Sequence, residues 1–408
     1  MAAGPLAATL AGRAHRAALW IVVAIGFSIL VSTALDNLLV LALLACWIPG
    51  HYREKWNTLC ANPFVPFPCG LFLLYLVGST YSVGDAEDIL RALDKAAVIL
   101  LIPILVSLRP SREFQDRAVC AFMVAMLLTL ALSFLIWLGL VPEGGVIKGI
   151  REDPSVFKMH ITHGVFMAFA ALLFTLKARE AKHRGMKLFL ALAAALAAFN
   201  VLFLVHGRTG QMVLLALAAY ALISWFQWRG LLTAFAAGSA FAAMVYVLPS
   251  SALHERVRTT ITEIQDWRAG KPVELRNMRL ESWSNSLEIV RNNPLLGVGT
   301  GGFAAAYAKQ VEGTSMLPAG QPENQYLLTA VQLGALGLAA LIALFAFQWH
   351  LAARLATRTD TDLARGLVIT MAVGCLFNSF LLDHTEALFY AWLSGLLYAG
   401  LRPATGRD

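Results

Sequence analysis

The stretch Asn292-Asn293-Pro294-Leu295-Leu296-Gly297-Val298-Gly299-Thr300-Gly301-Gly302-Phe303 lies inside residues 249–324, the longest polar interval of the chain. Proline after two asparagines stops a helix, and the glycines that follow shape a tight turn. What decides the fold is the contrast with the flanks. On both sides of the interval the sequence is a succession of long apolar runs, so the polar segment reads as a loop held by a membrane frame.

Composition agrees. Of 408 residues, 58% are hydrophobic and 14% charged, against about 25% charged in a soluble domain. A helical span needs about 20 apolar residues, whereas a barrel strand alternates apolar and polar ones. The runs are continuous, which makes the chain an all-α integral membrane protein. Twelve spans are expected, near 17–33, 35–49, 66–83, 92–107, 118–141, 161–177, 187–205, 209–227, 231–248, 325–349, 363–382 and 386–401. Asp36-Asn37 reads as a tight hairpin between the first two. The organisation is then residues 1–248 with nine spans, a loop domain over 249–324, and residues 325–408 with three more.

The formal charge is +7. In a soluble protein this would suggest nucleic acid. Here the basic residues follow topology, because Lys and Arg collect in cytoplasmic loops. With the N-terminus inside, the inner loops and termini carry 18 of the 32 Lys and Arg, and the short outer loops carry six. Both termini are therefore expected in the cytoplasm and the long loop outside, with no nucleic-acid partner. The five cysteines show no CxxC spacing and read as packing residues. The first apolar run reads as a helix rather than a cleaved leader.

Within the long loop, Leu253, Val257, Ile261 and Ile264 repeat at helical spacing, as do Leu280, Trp283, Leu287 and Val290. Two amphipathic helices are expected, with a third element over 303–311. The glycine-rich string resembles a phosphate cradle in composition, but it follows no strand, which excludes a dinucleotide fold.

Several polar residues gather at the outer ends of the spans. Arg208, in His206-Gly207-Arg208-Thr209-Gly210, hugs the membrane between two glycines, and Gly210 would let a ligand approach. Arg276 and Arg279 lie three residues apart, on one face if helical. Guanidinium forks match phosphate oxygens, so these arginines could clamp a pyrophosphate; the competing reading is ordinary pairing with Glu274 and Glu281. Glu323 and Asn324 precede the tenth span. Asp383, His384 and Glu386 lie between the last two. Of these His384 has the range of a general base, the competing reading being an interfacial polar residue in a short turn. His160 and His163 are spaced i, i+3, but no third ligand stands out, and no metal is expected.

The combination Arg279-x-x-x-Trp283, Asn293-Pro294-Leu295-Leu296-Gly297-Val298-Gly299, Phe303 and Pro322-x-Asn324-x-Tyr326-Leu327, with the Arg208-Thr209-Gly210 turn, resembles the O-antigen ligase/polymerase superfamily. The resemblance covers Arg208 to Asn324. It implies an inverting glycosyltransferase of the GT-C-like membrane class, without metal or other cofactor. The implied donor is an O-antigen glycan on undecaprenyl pyrophosphate and the implied acceptor lipid A–core, on the periplasmic face of a bacterial inner membrane. Arginines would hold the pyrophosphate. Many relatives carry His where this chain has Glu323, which leaves the base open between Glu323 and His384. An O-antigen polymerase or a pilin oligosaccharyltransferase shares the motifs. A transporter is the rival from another class, but no internal repeat is visible and the charges sit at one face.

Overall fold

The computed structural model describes residues 5–141, 149–247, 258, 261–262, 265, 278–314 and 316–401. Among them the chain is all-helical, and the sole β-pairing is an isolated bridge between Ile150 and Asp153. In chain order the helices are α1 (Pro5–Val31), α2 (Thr33–Trp47), α3 (Tyr52–Ala61), α4 (Pro66–Gly78), α5 (Ala86–Ala97), α6 (Leu101–Leu108), α7 (Arg112–Trp137), α8 (His160–Glu180), α9 (Arg184–Phe199), α10 (Arg208–Val247), α11 (Met278–Asn292), α12 (Phe303–Gln310), α13 (Gln325–Ala352), α14 (Arg358–Gly374) and α15 (His384–Tyr398).

Each expected span carries a helix, but the lengths differ. Six helices among the described residues are long and apolar enough to cross a membrane, or seven if α2 and α3, bent by 111°, form one broken span. Helices α4, α6 and α15 are short, at 13, 8 and 15 residues. The chain is thus a multi-pass membrane protein.

Two boundaries move. The first break falls at Ser32, which caps α2 by accepting from the Leu35 amide. Asp36 therefore belongs to the first turn of α2 and is fully buried, accepting a 2.6 Å hydrogen bond from the Ser28 hydroxyl of α1. Asp-Asn is a turn signal only when nothing else is available to bind the carboxylate. The expected span over 92–107 is also divided: charged α5 is followed by a 3-10 turn over Val98–Leu100 and then by short α6. In α5, Arg91 pairs with Glu87 and with Asp88.

Helix α15 forms the axis of the bundle and is buried on all sides, as a helix apolar all round must be. Its Phe389 stacks on Phe122 of α7 at 5.1 Å, and its Trp392 indole donates to the Val22 carbonyl of α1 at 2.9 Å. Gln348 of α13 satisfies two of its polar groups, accepting from the Tyr390 hydroxyl at 2.6 Å and donating to Ser394 at 2.9 Å. At the opposite end of the bundle from the candidate site, buried Asp362 of α14 accepts from Tyr220 of α10 at 2.7 Å and from the Arg358 guanidinium at 3.4 Å. The Arg112–Asp360 pair at 2.5 Å ties α7 to α14 at that same end.

The first amphipathic segment expected in the long loop lies almost entirely outside the described residues. The second is α11, and the third is α12.

Candidate functional site

Helix α13 is not continuous. Gly334, nine residues past its start, has φ +63° and ψ −157° and breaks the helix, about 14 Å along it at 1.5 Å per residue. A break strands two carbonyls above it and two amides below, and inside a membrane each must be satisfied by protein. The glycine-rich string does this. Val331 and Gln332 carbonyls accept from the Val298 and Gly299 amides at 2.8 and 2.9 Å. Ala335 and Leu336 amides donate to the Pro294 and Leu295 carbonyls at 2.8 and 3.4 Å. The other edge of the string pairs with the turn after α4: Val83 N–H donates to Val298 at 3.0 Å, Thr300 N–H to Gly78 at 3.1 Å, and the Thr300 hydroxyl to Tyr75 at 2.6 Å. Gly299 has φ +91°, and a side chain there would strike Ser82. The string is a structural splice between α4 and α13.

That splice positions α11. The helix runs alongside the first part of α13, from Arg279 beside Glu323 to Pro294 beside Ala335. Arg279 Nε donates to the Glu323 carboxylate, and both side chains are roughly half exposed, at 43% and 45%. Trp283 Nε1 donates to the Pro322 carbonyl at 2.9 Å. Asn285 links α11 to the returning segment through Tyr307 of α12 at 3.4 Å and Met316 at 3.1 Å. Glu323 itself holds φ +48°, a left-handed backbone that a glutamate rarely adopts. Strain of this kind collects at functional positions.

Asn324 caps α13 by accepting from the Leu327 amide at 3.0 Å, while its amide nitrogen donates to the Leu376 carbonyl at 2.9 Å. Gln325 N–H donates to the Cys375 carbonyl at 2.8 Å. The turn between α14 and α15 is thereby fastened to the start of α13. From the same turn Asn378 donates to the Thr209 hydroxyl at 3.2 Å, bringing in the first turn of α10. Arg208, exposed, opens that turn. Its glycine neighbours face protein: a Cβ on Gly207 would lie 2.8 Å from the His160 carbonyl, and one on Gly210 2.6 Å from Gly164 of α8. Gly210 thus serves the crossing of α8 and α10, with its open side occupied by backbone.

Asp383 precedes α15. Burial pushes its carboxyl above the usual range; Lys95 of α5 opposes that shift and Glu323 adds to it. His384 is next. Its Nε2 lies 3.9 Å from the Asp36 carboxylate of α2, and Lys158 and Asp94 are its other charged neighbours across the bundle.

The structure therefore gathers Arg279, Glu323, Asn324, Asp383 and His384, with Arg208 linked through Thr209 and Asn378, at one end of the bundle. Arg276 lies outside the described residues. The two histidines of α8 part company: His160 Nδ1 faces Asp153 at 3.5 Å, while buried His163 meets Asn200 at 3.1 Å. Among the described residues no group of three His, Cys, Asp or Glu is arranged to hold a metal ion. Sequence reading missed Asp36, Lys95 and Lys158 as members of this end; charged residues at span ends were the available signal.

No curated protein matches the chain. A family described as O-antigen ligase does match, over residues 192–342. That range contains Arg208, α11 with Arg279, the glycine splice, Glu323 and the break in α13. Residues 192–342 of this multi-pass membrane protein accordingly match the O-antigen ligase family.

Proposed function

We propose that the chain is an O-antigen ligase. It takes a glycan from undecaprenyl pyrophosphate and joins it to lipid A–core on the periplasmic face of a bacterial inner membrane, with inversion and without a metal. In this reading twelve helices frame the site, and both termini are cytoplasmic. The observation that carries it is the meeting of Arg279, strained Glu323 and the α10 turn bearing Arg208 beside the start of α13.

The roles follow from chemistry. The bond from the anomeric carbon to the pyrophosphate breaks as the acceptor oxygen attacks the opposite face. Negative charge grows on the leaving phosphate, and donors fixed in advance lower the barrier most when aimed at growing charge. Arg208 and Arg279 supply it, with Arg276 as a third. Glu323 holds the Arg279 fork in place until the phosphate arrives. Asn324 and Gly210 hold the local backbone, and Asp383 sets the charge around His384. The acceptor proton goes to a base, Glu323 or His384.

The test uses purified full-length protein, undecaprenyl-pyrophosphate-linked glycan and lipid A–core, with a chelator in one arm. Glycosylated lipid A–core should form in both arms. Arg208→Ala and Arg279→Ala should lose it while inserting normally. Transfer to lipid A–core by both variants at the wild-type rate would overturn the proposal. Lengthening of the lipid-linked glycan in place of transfer to lipid A–core would make the protein a polymerase.

A further inference from the structure

Asp36 was expected in the tight hairpin between the first two spans, yet it is fully buried in the first turn of α2. One of its oxygens is explained, since Oδ1 accepts from Ser28. The other is not: Oδ2 is buried and makes no hydrogen bond. Nε2 of His384 is in the same condition. These two unpartnered atoms face each other at 3.9 Å. A buried polar atom left unpaired costs free energy, and each such group calls for an explanation. Packing supplies none for two complementary atoms from helices 348 residues apart in the chain. The gap is longer than a hydrogen bond, and catalytic hydrogen bonds are often long in the free enzyme and tighten when substrate binds.

We propose that Asp36 is the positioning residue for His384, and that His384 rather than Glu323 is the base. This rests on the glycan-transfer reading above. Glu323 is already committed to the Arg279 guanidinium, whereas the His384 ring has no such partner on Nε2. With Nε2–H directed at Asp36, the imidazole is held in the tautomer whose Nδ1 lone pair is available. Nδ1 takes the proton of the acceptor hydroxyl as its oxygen bonds to the anomeric carbon and the pyrophosphate departs with the bonding electrons. The imidazolium so formed is stabilised by Asp36 and then releases its proton to water. The charged groups facing the pair are Asp94 of α5 and Lys158 before α8; Asp383 and Glu386 neighbour His384 in the chain and face Lys95 with Glu323, and Lys158, respectively. Lys158 is anchored by its hydrogen bond to Thr33 of α2 at 2.7 Å.

Two readouts on the full chain test the pair. The first is labelling of His384 by diethyl pyrocarbonate across pH, read by peptide mass spectrometry. The loss of a facing carboxylate lowers an imidazole pKa, so the labelling midpoint in Asp36→Asn should fall by about one pH unit, and Asp36→Glu should bring it back. Asp36→Ser, which is smaller, should show the same fall and covers failure of the amide variant to fold. The second readout is transfer kinetics. Asp36→Asn should lower kcat by about 10²-fold, leave KM for the acceptor unchanged, and move the acid limb of the pH profile to lower pH. An unchanged labelling midpoint in Asp36→Asn and Asp36→Ser overturns the pair, whatever the transfer assay gives. Wild-type protein that transfers no glycan overturns the enzymatic reading, while the labelling shift still decides the pair.

Discussion

Replacing Gly299 by alanine should separate backbone strain from packing in the splice between α4 and α13. Gly299 sits at φ +91°, where an added Cβ would lie 2.2 Å from the Ser82 Cα and 2.7 Å from its Cβ. Gly313 is the control, with φ +76° and nothing within 4 Å of the same added atom. Left-handed backbone costs a non-glycine residue about 1–2 kcal/mol, so Gly313→Ala should cost that and no more. Gly299→Ala bears the same term plus overpacking of about 1–3 kcal/mol, for a total of roughly 2–5 kcal/mol. The Ser82 contact is with backbone, so no side-chain rotation relieves it. Denaturant titration in detergent micelles measures the difference. The functional consequence should be larger still. The splice sets where α11 stands, and a displacement of about 1 Å at a reacting centre can cost about 10²-fold in rate. Gly299→Ala should therefore lose most glycan transfer, and Gly313→Ala should keep it. Equal destabilisation by the two substitutions would mean that the string is not seated on the 78–84 turn, and the account of the break in α13 would fail with it.

Three further outcomes are expected. Arg279→Lys keeps the charge but loses the fork; because the pair with Glu323 is half exposed, stability should change by less than about 1 kcal/mol, while transfer in the lipid A–core assay falls by roughly 10²-fold. Asp383→Asn should be more heat-stable than wild type at pH 8, by a margin that shrinks as pH falls. The folded carboxyl titrates above its unfolded value, so its favourable contribution is present at low pH and lost as pH rises through the folded pKa; a margin that grows on acidification would refute this. Asp362→Ala strands the Tyr220 hydroxyl among other donors and should cost roughly 2–3 kcal/mol in a denaturant titration. Transfer per folded molecule should stay unchanged, since this residue lies at the far end of the bundle.

Much of this was legible in the chain itself, for identifiable reasons. Burial in lipid demands apolar runs, so the helices announced themselves, and their short polar ends marked where charge could survive. Arg208, Arg279, Glu323, Asp383 and His384 stood out because charge beside a membrane span is costly and rarely idle. The twelve runs located helices well but overstated the length of those over 66–83 and 92–107, because the 3-10 turns at Ser79–Tyr81 and Val98–Leu100 leave hydropathy unchanged. Gly210 was legible as a glycine that something must approach; that the approaching group is Gly164 of α8 was not.

What the sequence determines by itself is therefore the all-helical membrane character, the polar interval over 249–324, and the residue types able to meet a pyrophosphate. The tertiary structure alone decided three things. It broke α13 at Gly334, which is affordable only because residues 294–299 supply the missing hydrogen bonds. It gave the tight turn of the glycine-rich string its partners, the broken α13 on one edge and the end of α4 on the other. And it moved Asp36 from a hairpin between two spans to a buried seat beside His384. In each case the deciding partner lies far away in the chain. A backbone break or a buried carboxylate is stable only when distant groups satisfy it, and local pattern carries no record of which groups those are.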